Sequence, residues 1–261
     1  FTELGHKSIN NKQSNKKSNN IPSKINNIIK KIQDNNLTVN KADKGNIVTI
    51  ENKTTLEQKT LTFLENPLYH KLKSDPTHKY QNEIKNILKQ CNSIINNKNN
   101  RLINSNLSAP TLRFTTKIHK KEYPIRPIVN YKSASHTQLK KIIKILQDKL
   151  IFNNQYNIKN SIQLTKLLSN IPLSAQSRLV SLDIKDVYTN IPITETLDII
   201  KNQLQSLQYD STIIHQLIML LSVSLKQNYF RYNQNFYEQT DGLPMGSPLS
   251  PIMSEIFLQY L

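Results

Sequence analysis

The chain has 261 residues, with Lys+Arg 35 against Asp+Glu 18 and a formal net charge of +17. That length accommodates one large domain or two small ones, and the single cysteine, Cys91, excludes an intrachain disulfide or a cysteine-built zinc site. No apolar run approaches the roughly 18 residues of a membrane span and the opening is no signal peptide, so neither a membrane nor a secreted protein is expected, and the charge favours a polyanionic partner.

Residues 1–20 are polar and basic, and a disordered arm is expected there because so few apolar side chains cannot offset the entropy of ordering. Ser23 then caps a helix whose Ile25, Ile28, Ile29 and Ile32 share one face. Ile47–Glu51 reads as a short strand after Lys44, Gly45 and Asn46. Thr54 and Glu57 form a capping box for a helix through Leu64. Ile84, Ile87, Leu88, Cys91, Ile94 and Ile95 mark another helix, which places Cys91 in a core.

An Asn-rich connector over 96–106 precedes a change in composition. Residues 111–131 predict two strands joined by a basic turn near Lys120 and Tyr123, and carry Arg113, Lys117, Lys120, Lys121 and Arg126. Leu139, Ile142, Ile143, Leu146 and Leu150 predict a helix with Lys140 and Lys144 on its outer face. A connector follows to about Gln176.

Arg178–Ile184 alternates as a strand does. Val180, Leu182 and Ile184 are expected to pack on helices, while Asp183 is delivered to the other face and Asp186 follows where the strand ends. Two carboxylates so close repel unless a cation joins them, and hard oxygens of this kind suit Mg²⁺ together with substrate phosphates. A solvated strand end is the alternative reading of the same residues. Beyond Tyr188 and Pro192, a helix capped by Thr194 turns Leu197, Ile200, Leu204 and Leu207 inward, and a second runs over Ser211–Gln227.

Of only 4 glycines, Gly242 and Gly246 fall in one short segment, Asp241-Gly-Leu-Pro-Met-Gly-Ser-Pro248. A chain this poor in glycine retains it where a side chain cannot fit. The segment follows a hairpin around Asn233–Asn235 and precedes a helix with Leu249, Ile252, Met253, Ile256 and Phe257 inward. Strand, glycine loop and helix N-terminus together suggest backbone N–H groups open to a phosphate or a nucleotide. An ordinary tight turn is the alternative.

Taken in order, four blocks resemble the polymerase core of Penelope-like retroelement reverse transcriptases: Lys41–Ile50 with its Asp-Lys-Gly, the basic segment 117–130, Asp183–Pro192 and the Asp241–Pro251 loop. The resemblance implies an α+β fold: a helical N-terminal extension over 21–110, right-hand polymerase fingers over 111–176 and a partial palm over 177–261. It implies RNA-directed DNA polymerisation, with an RNA template, a DNA primer and deoxynucleoside triphosphates as partners and Mg²⁺ as cofactor, Mn²⁺ being the alternative ion. It assigns Asp183 and the Ile184 carbonyl to the metal. Arg126, with Lys117 or Lys120, would contact the triphosphate, and Asp186 would stand near it. Tyr188 would lie under the sugar, and Met245 and Gly246 beside the base pair. Lys140, Lys144, Gly242 and Pro244 would lie along the nucleic acid. An intracellular protein, nuclear or cytoplasmic, is expected.

The family's third palm motif contains paired aspartates, and no Asp-Asp pair occurs in these 261 residues. A truncated palm without activity of its own is therefore expected, with an exposed apolar patch and poor solubility. A basic RNA-binding remnant without chemistry, or a telomerase- or maturase-type relative, is the alternative.

Overall fold

The computed structural model describes residues 21–95, 108–131, 140–152, 157–172 and 174–261, with only the backbone of Ile21, Pro22, Lys140 and Lys141. The expected arm over 1–20 and the Asn-rich connector lie outside the described residues. Two compact units divide the chain: Phe1–Glu65 with Phe114–Arg126, and Asn66–Arg113 with Pro127–Leu261. Helices and strands are mixed, as the α+β expectation requires. Among the described residues, no helix is long and apolar enough to cross a membrane.

The first unit begins with α1 (Ile21–Asp34), followed by β1 (Leu37–Lys41), β2 (Val48–Asn52) and α2 (Lys53–Leu64). β1 and β2 pair antiparallel from Leu37↔Asn52 to Lys41↔Val48. Their connection bends at Gly45 and Asn46, both with positive φ. The expected capping box of α2 is not what starts that helix. Asn52 caps it, its side chain accepting from the Thr54 N–H at 2.9 Å, because the chain leaves β2 in an extended conformation that presents Asn52 to the first turn. The apolar stripe of α1 also differs from a core face, since Ile25, Ile28 and Ile29 are exposed.

The second unit contains β3 (Tyr69–Leu72), α3 (Thr77–Gln90), α4 (Asn92–Ile95), α5 (Lys140–Lys149), α6 (Ser161–Ser169), α7 (Ile193–Ser206), α8 (Ser211–Lys226), β6 (Tyr229–Tyr232), β7 (Asn235–Gln239) and α9 (Ser250–Tyr260). The chain passes between the units within β4 (Thr111–Thr116) and β5 (Ile125–Asn130). The larger sheet has the order β3-β7-β6-β4-β5; β6 and β7 form the expected hairpin, and β4 meets β6 in parallel at Thr111↔Arg231. Helical periodicity in α3, α5, α7, α8 and α9 produces one core, in which Leu88, Leu146, Ile200, Leu217, Leu221 and Met253 are buried. Each such side chain contributes about 1.5–3 kcal/mol on leaving water.

Three expectations in this unit are corrected. Residues 161–169, read as connector, form α6, started by the Asn160 side chain accepting from the Gln163 N–H at 2.9 Å. α7 is preceded by Pro192, not capped by Thr194, and the Thr196 hydroxyl donates back to the Pro192 carbonyl at 2.7 Å. Most consequentially, Arg178–Ile184 is not a strand. Alternation supplies two faces but no ladder, and among the described residues no strand pairs with this segment. Leu179 is 83% exposed and Leu182 91%.

Candidate active site

Past Ile184 the chain turns at Asp186, whose φ of 50° and ψ of 42° are left-handed, and enters a 3₁₀ helix over Val187–Asn190. Aspartate tolerates this conformation better than most residues. Its carbonyl is held in place by the Thr189 hydroxyl at 2.9 Å and the Asn190 side-chain amide at 3.0 Å. Asp183, Ile184 and Asp186 are exposed, while Tyr188 is half-buried and packs on the helical core. Asp186 also acts on Tyr69, whose phenol is pushed up to about 12, first by burial and then by that carboxylate.

The glycine loop lies against this turn. The Leu243 N–H donates to the Tyr188 carbonyl at 2.7 Å. Gly242, at φ +69°, runs so close to Thr189 that a Cβ would overlap its backbone. Gly246, at φ +107°, is equally tight against the Val129 carbonyl, and the Val129 N–H donates to the Met245 carbonyl at 2.8 Å. On the other side, the Asn228 side-chain amide donates to the Gly242 carbonyl at 3.2 Å, and the Thr240 N–H to the Leu68 carbonyl at 3.0 Å. The loop is thus fixed by four segments of the second unit before any ligand arrives.

Two readings of this loop change. Gly242 and Pro244 are buried, so neither offers a surface for a nucleic-acid strand; Met245 is half-buried and Gly246 exposed. The N-terminus of α9 is also not an open row of donors. The Leu249 N–H donates to the Ser247 hydroxyl and the Ser250 N–H to the Ser247 carbonyl, each at 3.3 Å. Buried backbone donors need partners, and Ser247 supplies them from within the chain.

In the first unit, the basic turn between β4 and β5 closes through the Lys117 N–H donating to the Pro124 carbonyl at 2.9 Å. Lys59 ties it down, its Nζ donating to the Tyr123 carbonyl at 2.8 Å and the Glu122 carbonyl at 3.3 Å. Lys120 is exposed and Lys117 half-buried. Arg126 Nη1 lies 3.0 Å from Asp43 Oδ1, so the acid of the Lys41–Ile50 block pairs with an arginine far along the chain. In the second unit Lys144 is exposed on α5, and Lys140 begins that helix.

The residues that sequence reasoning missed are mostly those that hold the others: Asn228, Val129, Leu68 and Lys59. They act largely through backbone groups or from far along the chain, and leave no motif. Among the described residues, no three His, Cys, Asp or Glu side chains gather to hold a metal ion. The oxygen donors of Asp183 and Ile184, exposed and hard, fit a single divalent ion that keeps its other ligands from phosphate and water. They do not amount to a two-ion site.

A family model described as reverse transcriptase (RNA-dependent DNA polymerase) matches residues 118–261, more than half of the chain. No curated protein matches it at a significant level.

Proposed function

This chain belongs to the reverse transcriptase (RNA-dependent DNA polymerase) family, and we propose that it carries fingers and palm segments of a Penelope-like retroelement enzyme. The observation that carries this is the union of two sequence blocks far apart in the chain, the Asp183–Tyr188 turn and the Gly242–Gly246 loop, through the Leu243–Tyr188 hydrogen bond.

In the second unit the proposal gives Asp183 and the Ile184 carbonyl to a divalent ion, Mg²⁺ or Mn²⁺, which when bound neutralises charge on the phosphates during nucleotidyl transfer. Asp186 stands near the triphosphate, Tyr188 supports the sugar, and Met245 and the bare backbone at Gly246 border the base pair. Gly242 and Pro244 act by fixing the loop's shape. Lys140 and Lys144 follow the phosphate backbone of an RNA template or DNA primer. In the first unit Arg126 receives the triphosphate of a deoxynucleotide, assisted by Lys117 or Lys120, a task suited to a guanidinium fork. The protein works inside the cell, in nucleus or cytoplasm.

These 261 residues contain no Asp-Asp pair, and no primer extension above an Asp183→Ala control is expected from them alone. Binding tests the reading instead. With a labelled RNA–DNA primer-template and Mg²⁺, the complementary deoxynucleotide should stabilise the complex more than the other three, and Asp183→Ala should erase that preference. Equal effects of all four nucleotides on the unmodified chain would overturn the polymerase reading and leave a basic RNA-binding protein.

A further inference from the structure

We infer that Asp43 is a positioning residue for Arg126: its buried carboxylate grips one edge of the guanidinium and leaves the rest of the fork facing solvent to receive a triphosphate. The inference rests on the reading of Arg126 as a triphosphate contact. Both residues belong to the first unit.

The pair is asymmetric. Its Nη1–Oδ1 separation is 3.0 Å, yet the Asp43 side chain is only 4% exposed while that of Arg126 is 42% exposed. A surface ion pair would leave both ends in water and hold neither. Here one end is anchored. The Asp43 N–H donates to the Thr116 carbonyl at 3.0 Å and the Ala42 N–H to the Ile47 carbonyl at 2.8 Å, with Ala42 and Thr116 bridged in parallel. The Thr116 hydroxyl in turn donates to Glu51. Asp43 Oδ2 is buried and, among the described residues, has no hydrogen-bond partner. A carboxylate desolvated to this degree needs its cation, so it restrains Arg126 more strongly than an exposed acid could.

An arginine has five N–H donors and a rigid plane. Using one for Asp43 leaves the others pre-aligned, which lowers the entropy lost when a phosphate docks. The buried acid near an anion site thus has a use that its charge alone would contradict.

That contradiction makes the test decisive. Inorganic tripolyphosphate is titrated into the full 261-residue chain by calorimetry, with Lys121→Gln as the control for loss of one positive charge from the same turn. Arg126→Gln should weaken binding roughly tenfold or more beyond Lys121→Gln. Asp43→Asn removes a negative charge, so electrostatics alone predicts tighter binding; positioning predicts binding weaker by about threefold to tenfold, and no weakening in an Arg126→Gln background. If Arg126→Gln behaves like Lys121→Gln, the triphosphate reading fails and the inference with it. If Arg126→Gln weakens binding while Asp43→Asn does not, only the inference fails. Should Asp43→Asn unfold, ¹⁵N relaxation of the unmodified chain decides. The Arg126 Nε should be ordered, with an order parameter above about 0.6, and mobility equal to that of exposed Arg113 and Arg178 would refute the restraint.

Discussion

The Leu243 N–H and the Tyr188 carbonyl, 2.7 Å apart, join the turn that carries Asp186 to the loop that carries both critical glycines. The bond is possible because Gly242 has no side chain to hold the loop off Thr189. Loop and turn therefore behave as one rigid piece, and whatever moves one displaces the other.

Gly242→Ala should destabilise the second unit by about 3 kcal/mol, combining a left-handed φ with a backbone overlap that cannot relax by side-chain rotation. Gly246→Ala should show a similar loss, because the obstacle there is the Val129 carbonyl. Gly45→Ala also faces a positive φ, but its Cβ would meet only the tip of the Ile47 side chain, so about 1–2 kcal/mol is expected. Urea denaturation measures all three, and a Gly242→Ala protein as stable as Gly45→Ala would show that the loop does not lie against Thr189.

The joined piece has an electrostatic signature at Tyr69. Burial, and then Asp186, push that phenol up to about 12, and burial chiefly does the same to Tyr229. Below pH 10 these tyrosines are protonated folded or unfolded, and their contribution is fully present. Above pH 10 the unfolded chain releases protons that the folded one still holds, so stability should fall progressively towards pH 12. Asp186→Asn should bring the Tyr69 midpoint down only part of the way, because burial is the larger cause. Phenolate absorbance against pH reads this, and a titration unchanged by Asp186→Asn would separate the two residues.

The core helices were legible in the sequence because their apolar stripes repeat with the helical period and face one another, as Ile84, Leu88, Ile200 and Leu217 do. The Gly242–Gly246 loop was legible because glycine is scarce. Other elements were not. β3 is four residues long, and its partner β7 lies far along the chain; neither fact marks Tyr69–Leu72 locally. The alternation of Arg178–Ile184 was read as a strand, but a strand exists only with a partner, and alternation does not say where the partner is. The Asp43–Arg126 pair was invisible for a related reason: Asp43 has a lysine beside it in sequence, and only the bridge between Ala42 and Thr116 takes it to Arg126 instead.

The unpaired segment leaves Leu179, Val180, Leu182 and Ile184 in water. A run of apolar, β-prone side chains with open backbone groups is an aggregation site. Leu182→Lys should raise the concentration at which the chain remains monodisperse, with a midpoint of unfolding shifted by less than about 0.5 kcal/mol, since a side chain 91% exposed has little packing to lose. Light scattering at increasing concentration distinguishes the variants. A large stability loss would mean that Leu182 is covered in solution.

Tyr188 has two tasks under the proposed function. Its ring packs on the helical core, and the same bulk is to crowd the 2′-hydroxyl of a ribonucleotide. Tyr188→Ala should therefore lower stability by about 1–3 kcal/mol and bring the binding of complementary ribo- and deoxynucleotides to the primer-template complex towards equality. Tyr188→Phe should keep both properties, because neither depends on the phenol hydroxyl. Discrimination that survives Tyr188→Ala would remove the sugar contact while leaving the packing role intact.

The excess charge of +17 predicts binding to RNA that weakens steeply with salt, since each phosphate neutralised releases counterions. Lys144 is the cleanest probe of where that charge is used. It is exposed on α5, while Ile142 and Leu146 on the same helix are buried, so Lys144→Ala should fold normally. If Lys144 meets a phosphate, the slope of log K against log salt should become shallower by about 0.7 for single-stranded RNA or about 0.9 for a duplex. The loss should be the same for unrelated sequences, because a phosphate contact carries no base information. An unchanged slope would place the nucleic acid away from the outer face of α5, and a sequence-dependent loss would mean that the lysine reaches a base edge instead.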